Sequence, residues 1–378
     1  MKFTFDRDAI AKELSIAQEI ISSKNQASIM SNIMLTAENN TLTMTATNSA
    51  INFQTSLPVE IEEEGISIVL CSKFLEILSS LPPGIGEIEF NQQMNTVDDT
   101  PLSIRIKPVS KRVKFELTSL TSEKFPEVKA ESTDAEYFEI PAKELKKMIQ
   151  QTVFAVSTDE QRVFMSGVYF DKTDDNKFVF VATDAKRLAL ASLDITTEIP
   201  KFPSVIIPTK ILTIISKHMP DEGMIAVAVT QENIFFKFGG YKLSSSLIKG
   251  QYPAYQRVIP QNQAHSVKLL KSDLVDAIKR ITIMTEKSME RIYLNIQPGV
   301  LRVMSSQSDQ GTAEEEIPAE YADEEMTIAV NYKYIDQPLR VMQSENTVLE
   351  FTEEMKALTL RPEPADSYFH IIMPMQKD

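Results

Sequence analysis

Cysteine, histidine and glycine are all scarce in this chain, and each shortage closes off a kind of chemistry. The single cysteine, Cys71, has no intrachain partner for a disulfide, and His218, His265 and His370 stand too far apart in sequence to give metal-ligand spacing. Neither a metal site nor a cofactor is expected. Ten glycines among 378 residues fall well below the usual share of about 7% and leave little material for glycine-rich phosphate loops. The patterns GxxxxGKS/T, GxSxG, HExxH and CxxC do not occur, and the abundant carboxylates form no paired motif, so no catalytic constellation is expected. Long apolar runs are missing as well. No stretch approaches the roughly 18 residues that span a bilayer, and the opening MKFTFDRDAIAKEL breaks its apolar residues with charges, unlike a secretory leader. A soluble, cytoplasmic protein without a membrane partner is expected.

What is present is ordinary globular composition, 43% hydrophobic and 24% charged, in a chain long enough for two or three domains. The formal charge of −14 would by itself argue against nucleic acid, whose phosphates repel a net anion.

One pattern occurs three times. FTFDRDAIAKEL (3–14), FEIPAKELKKMI (138–149) and VKLLKSDLVDAI (267–278) each run from a short apolar alternation into an amphipathic helix. Phe5/Ile10/Leu14, Ile140/Leu145/Ile149 and Leu269/Leu274/Ile278 fall in register, with the last two of each set stacked on one helical face. Asp8 and Ser272 are expected as N-caps, and Pro141 suits a first turn. Further on, ISIVLCSKFLEIL (66–78), SVIIPTKILTII (204–215) and MTIAVNYKYIDQPL (326–339) pair a β-branched run with a second helix that carries Lys73, Lys210 or Lys333 early. Between the helices lie strands that end in polar turns, LTMTATNSA (42–50), FVFVATDAK (178–186) and LRVMSSQSD (301–309). Units of this size are domains, not solenoid repeats. Proline-bearing connectors at 123–137 and 250–266 separate them, giving expected domains at 1–127, 128–260 and 261–378. Period-two stretches such as KFVFVA and IFFKF make each an α+β domain of antiparallel strands and two helices.

The charge is unevenly spread. The six helical windows 8–24, 72–81, 142–154, 208–219, 271–287 and 331–343 together carry +5, which leaves −19 on the remainder of a chain whose total is −14. One reading is a set of solvated amphipathic faces. The other is a shared surface that meets a polyanion, with an acidic exterior that repels nucleic acid elsewhere. Such a surface would hold DNA weakly, without sequence preference and with strong salt dependence.

The opening MKFT, the segment ATDAKRLAL (182–190), QYPAYQRVIP (251–260) and the closing IIMPM (371–375) resemble the bacterial sliding clamps, the beta subunits of DNA polymerase III. The resemblance covers the whole chain. It implies three tandem clamp domains per subunit and a head-to-tail homodimeric ring of pseudo-sixfold symmetry. Double-stranded DNA passes through such a ring, which tethers the replicative polymerase and acts as its processivity factor in the cytoplasm at the nucleoid. By position it implies a DNA-facing set of Lys24, Lys73, Lys143, Lys146, Lys147, Lys210, Lys217, Lys279, Arg280, Lys333 and Arg340. Pro338 departs from a regular last helix and is expected to kink it.

The resemblance also implies a pocket for the short peptides of polymerase, clamp loader and other clamp-binding proteins. The matching positions are Met165, Thr183, Ala185, Lys186, Arg187, Leu188, Pro253, Arg257, Val258, Met355, Ala357, Met373, Pro374 and Met375. Methionines repack around varied apolar side chains, and Arg187 and Arg257 are expected to orient a ligand oxygen. Many relatives have Gly-His where this chain has Ala185-Lys186, and the chain continues past MPM as Gln376-Lys377-Asp378. For ring closure the matching sets Arg112, Lys114, Phe115 and Leu117 against Ile283, Met284, Asp309, Glu314, Glu315 and Glu316. Without the resemblance, AEEE (313–316) reads equally as a solvated loop. The alternative to the clamp is a non-enzymatic protein-binding scaffold that does not encircle DNA.

Overall fold

The computed structural model describes residues 1–21, 28–91, 102–109, 112–120, 123, 125–196, 199–286, 289–307, 309 and 311–377. Each repeat opens as its pattern predicts, with a short strand that runs straight into a helix. Lys2–Asp6 leads into α1 (Arg7–Ile20), Gly65–Leu70 into α2 (Cys71–Ser80), and Phe138–Pro141 into α3 (Ala142–Thr152). Val205–Pro208 leads into α4 (Thr209–His218), His265–Leu270 into α5 (Lys271–Ile281), and Met326–Asn331 is followed after one intervening residue by α6 (Lys333–Val341). The in-register apolar positions Phe5, Ile10, Leu14, Ile140, Leu145, Ile149, Leu269, Leu274 and Ile278 are all buried. Burying such side chains stabilises a fold by roughly 1.5–3 kcal/mol each, which is why the helices lie with these faces inward.

The helix starts differ from expectation. Asp6, not Asp8, caps α1, its Oδ1 accepting from the Ala9 N–H at 2.9 Å. The strand before it ends at Asp6, so Asp8 falls in the first turn, where its charge still suits the helix dipole. Ser272 sits inside α5, whose cap residue Leu270 offers no side-chain acceptor. Pro141 ends its strand immediately before α3. Pro338 lies within α6, which runs on to Val341 and closes with Met342 N–H on Pro338 O at 3.2 Å.

The described residues form two compact units. Residues 1–143 and 213–247 make up one, and 144–212 and 248–378 the other. The first unit contains a 13-stranded sheet in which Tyr241–Ser246 of the second repeat pairs antiparallel with Ile51–Pro58 of the first, Lys242 facing Gln54 and Ser245 facing Ile51. The second unit contains a 12-stranded sheet with the same kind of joint, in which Arg187–Asp194 pairs with Tyr368–Ile372, Arg187 facing Ile372 and Ala191 facing Tyr368. All ladders among the described residues are antiparallel. No described helix is long and apolar enough to cross a membrane.

Among the described strands paired along only part of one edge are one in the first repeat and one in the third. Phe115–Leu120 pairs with Ser103–Pro108 at residues 115–118, but with Gly65–Leu70 only at Ser119 and Leu120. Glu314–Glu320, in the other unit, pairs with Val300–Ser305 at residues 314–318, but with His265–Leu270 only at Ala319 and Glu320. The acidic run is therefore strand, not loop, fixed by Ile317, which is buried.

Candidate functional site

In the second unit the turn between strands Lys177–Thr183 and Arg187–Asp194 is built from its own side chains. Asp184 Oδ1 accepts from the N–H groups of Lys186 at 2.9 Å and Arg187 at 3.0 Å. Thr183 Oγ1 accepts from Ala185 N–H at 3.1 Å and donates to Arg187 O at 2.6 Å. These four bonds hold Ala185 at φ 72°, a left-handed conformation that costs a residue with a Cβ roughly 1–2 kcal/mol. A glycine at this position would meet no such penalty.

Beyond the paired strand Tyr368–Ile372 the ladder continues by one bond, from Met373 N–H to Lys186 O at 2.9 Å. That bond sets Met373 beside the turn. Opposite lies the connector, which Gly250 starts at φ 141°, where a Cβ would come within 3.0 Å of Phe164 Cβ. It passes through a helical turn, Tyr255–Val258. Tyr252 anchors it, stacked on Tyr169 with centroids 4.7 Å apart and its hydroxyl on Val181 O at 3.2 Å. Burial pushes the Tyr255 phenol up to about 12, and Tyr255 gives the cavity a neutral wall.

Turn, connector and strand end enclose a cavity of about 210 Å³. Met165, Thr183, Ala185, Arg187, Leu188, Pro253, Val258 and Met373 line it, as do Ala254, Tyr255 and Ile371, which were not among the expected residues. Ile371 and Met373 are two apart on one extended segment, so period two alone places them on one face. Lys186 contributes its carbonyl but does not line the cavity, and Arg257 and Met355 are exposed outside the lining. Ala357 packs against the apolar cluster that contains Leu188, Tyr255 and Ile371. Pro374 lies outside the lining, and Met375 turns away, its N–H on Ala329 O at 2.7 Å. The residues past it are tied down by Arg291 Nη1 on Gln376 O at 2.9 Å and Lys377 on Glu354 at 2.7 Å.

Arg187 also has partners of its own within the chain. Its Nε donates to Asp184 Oδ2 at 3.0 Å, its Nη2 to Phe154 O at 2.7 Å and its Nη1 to Gln337 Oε1. The guanidinium also lies 4.7 Å from the Tyr334 ring centroid, close enough for a cation–π attraction. Each nitrogen has one such partner, so Arg187 ties the turn to α6 and braces the cavity wall, while Nη1 and Nη2 each keep a second N–H. His370, on the neighbouring position to Ile371, is fully buried against Phe154 with neither ring nitrogen hydrogen-bonded. Burial, and secondarily the Arg187 charge, hold its pKa well below the ordinary value.

The helix cations are exposed except Lys146 and Lys147, which are half-buried; Lys24 lies outside the described residues. Several are ion-paired. Lys73 meets Glu76 at 2.6 Å, Lys147 meets Asp366 at 3.0 Å, and Lys217 meets Glu19 at 2.6 Å. Arg340 meets Asp336 at 2.7 Å, Lys333 meets Glu290, and Arg280 grips both oxygens of Glu315 at 2.5 and 2.7 Å. Exposed pairs of this kind stabilise by only about 0–1 kcal/mol.

At the half-open strands, Arg112 and Lys114 are exposed and Phe115 and Leu117 half-buried. In the other unit Ile283 is 76% exposed and Met284 half-buried, with Asp309, Glu314 and Glu316 at the surface. Glu315 takes Arg280 and Glu316 takes Arg302 within the chain. Among the described residues no group of His, Cys, Asp or Glu is arranged to hold a metal.

Family models of the DNA polymerase III beta subunit match the chain in order: the N-terminal domain at residues 1–129, the central domain at 139–254 and the C-terminal domain at 256–376. The beta sliding clamp of Treponema pallidum is 39% identical over 382 residues, and that of Bacillus subtilis 29% identical over 391, each match spanning all of both chains. Among solved structures, the Bacillus subtilis sliding clamp superposes with a TM-score of 0.92 at 26% identity. A Pseudomonas aeruginosa clamp bound to griselimycin does so at 0.91 and 25%, again over the full length of both chains.

Proposed function

Because this chain belongs to the DNA polymerase III beta-subunit family, the bacterial sliding clamps, and its role is that of a polymerase processivity factor, we propose that it works as a closed ring of two copies. The observation that carries the ring is the pair of half-open strands at opposite ends of the chain, 115–118 and 314–318. An unpaired edge is a template for another strand. Joining the first repeat of one copy to the third of the next is a heterologous contact, and two such contacts close a ring. Arg112 and Lys114 then face the rim of Asp309, Glu314, Glu315 and Glu316, while Phe115 and Leu117 cover Ile283 and Met284.

Duplex DNA passes through the ring beside Lys73, Lys143, Lys146, Lys147, Lys210, Lys217, Lys279, Arg280, Lys333 and Arg340. Weak surface pairs let these side chains trade a carboxylate for a phosphate at little cost, and contacts that read no base leave the ring free to slide. The apolar cavity takes short peptide segments of the replicative polymerase, the clamp loader and other clamp-binding proteins. The ring is an accessory subunit without a reaction of its own, at work in the cytoplasm on the nucleoid.

Negative-stain imaging of the purified protein tests the architecture. A closed ring of six lobes with a hole wide enough for duplex DNA is expected. A compact or extended particle without a hole, at concentrations where sedimentation finds dimer, would overturn the ring and leave a protein-binding scaffold.

A further inference from the structure

We propose that Met373 is a reversible oxidation site, and that conversion of its thioether to the sulfoxide closes the cavity to apolar ligands; the second half rests on the peptide-pocket reading above. Met373 is 44% exposed at the cavity mouth, whereas Met165, which lines the same cavity, is 4% exposed. Oxidation of methionine requires access to the sulfur and turns an apolar, flexible side chain into a polar one. The other exposed methionines, Met224, Met289 and Met355, lie outside the lining, and Met289 Sδ already accepts from Arg291 Nη2 at 3.6 Å. Met373 is thus the one described methionine that combines exposure with a place in the cavity wall. Its backbone bond to Lys186 O keeps it at the mouth, so the side chain cannot leave by a shift of the strand end.

The step is a two-electron oxygen transfer from a peroxide. The O–O bond breaks, one oxygen bonds to Sδ, and the other departs as water with both peroxide protons; sulfur is oxidised and the peroxide reduced. The new oxygen is a strong acceptor in an apolar wall. Thr183 Oγ1 donates to Arg187 O at 2.6 Å, and each guanidinium nitrogen of Arg187 has one N–H drawn to Asp184, Phe154 or Gln337, which leaves a second N–H on each of Nη1 and Nη2. The sulfoxide either remains in water across the mouth, in the path of an incoming side chain, or enters a mostly apolar wall and gives up hydration that the cavity replaces only in part.

The test uses the full chain, hydrogen peroxide, mass mapping of each methionine over time, and fluorescence anisotropy with a labelled short peptide that carries two adjacent large apolar residues. Met373 sulfoxide is expected to accumulate well ahead of Met165 and the buried Met44, with affinity lost about tenfold, as a buried unsatisfied polar group costs. Methionine sulfoxide reductases restore it. Each variant is measured against its own untreated affinity: Met373→Leu becomes indifferent to peroxide, and Met224→Leu keeps the full loss. The proposal is overturned if Met373 oxidises no faster than Met165, or if Met373→Leu loses binding as the unaltered protein does. Absence of peptide binding before peroxide would instead sink the pocket reading and closure with it, while the rate map would still decide which sulfur reacts.

Discussion

His370 carries a pH dependence that its surroundings define. Its folded-state pKa is held well below the ordinary value by burial, with a smaller contribution from Arg187. The unfolded chain takes up this proton near pH 6.5, while the folded chain resists it. As pH falls below about 6.5, the unfolded state binds more protons and stability drops by up to about 1.4 kcal/mol per unit until the folded-state pKa is reached. Stability is full above that window and lost below it. Between pH 7.0 and 5.5, the urea midpoint of the unaltered protein should therefore fall further than that of His370→Phe, by an amount worth about 1 kcal/mol. Parallel falls in the two proteins would mean that His370 protonates within the fold.

At this scale the sequence was only partly legible. The segment ATDAKRLAL and the closing IIMPM located the cavity through resemblance, and eight of the lining residues were among those expected. The role of Arg187 was hidden, because Phe154, Tyr334 and Gln337 are brought to it only by the tertiary fold. Tyr255 was written inside YPAYQRV, but nothing in one dimension says which side chain of a short helical turn faces inward.

Helices and strands were more legible, since their signals are periodic and local. The i, i+4 pairs found every first helix of a repeat, and the β-branched runs found every second. Cap positions slipped by two residues at α1, because the polar Asp6 at the end of the strand is also a good acceptor for the first free N–H groups. The acidic run at 313–316 was ambiguous for a different reason: three carboxylates in succession hide the strand alternation that Ile317 completes. Edge pairing sits at this scale, and so does its test. Ile283 is 76% exposed and lies three residues past Arg280, which pairs with Glu315 of the half-open strand. Ile283→Asp should raise the dimer dissociation constant at least about tenfold by sedimentation, since a charge in an apolar interface loses hydration without a partner. Thermal unfolding at a monomeric concentration should barely move, because the residue is exposed within one chain. A dimer as tight as before would remove Ile283 from the interface.

On the scale of the molecule, the charge partition decides between solvated helix faces and a DNA-facing surface. A chain of net charge −14 binds duplex DNA only where its cations gather, and each phosphate neutralised steepens the dependence of log affinity on log salt by about 0.9. Lys143, Lys210 and Lys279 are exposed on three different helices, so reversing all three to Glu samples the surface broadly and leaves each helix its buried face. If the helices line the DNA path, this triple variant should lower the salt slope of duplex binding by roughly 2–3, as anisotropy on a labelled duplex across a salt series would read. Dimerisation and peptide binding should be unchanged. Reversal of Lys129 and Lys201, exposed in connecting segments, gives the same change of sign per residue without touching a helix and should leave the slope alone. An equal fall in both sets would mean that the protein repels DNA through net charge only, and that the positive helices are solvated faces. A fall confined to the helix set would tie the threefold repeat to its purpose: one helix-bearing unit, copied along the chain, supplies a sparse array of cations that no single copy could extend around a duplex.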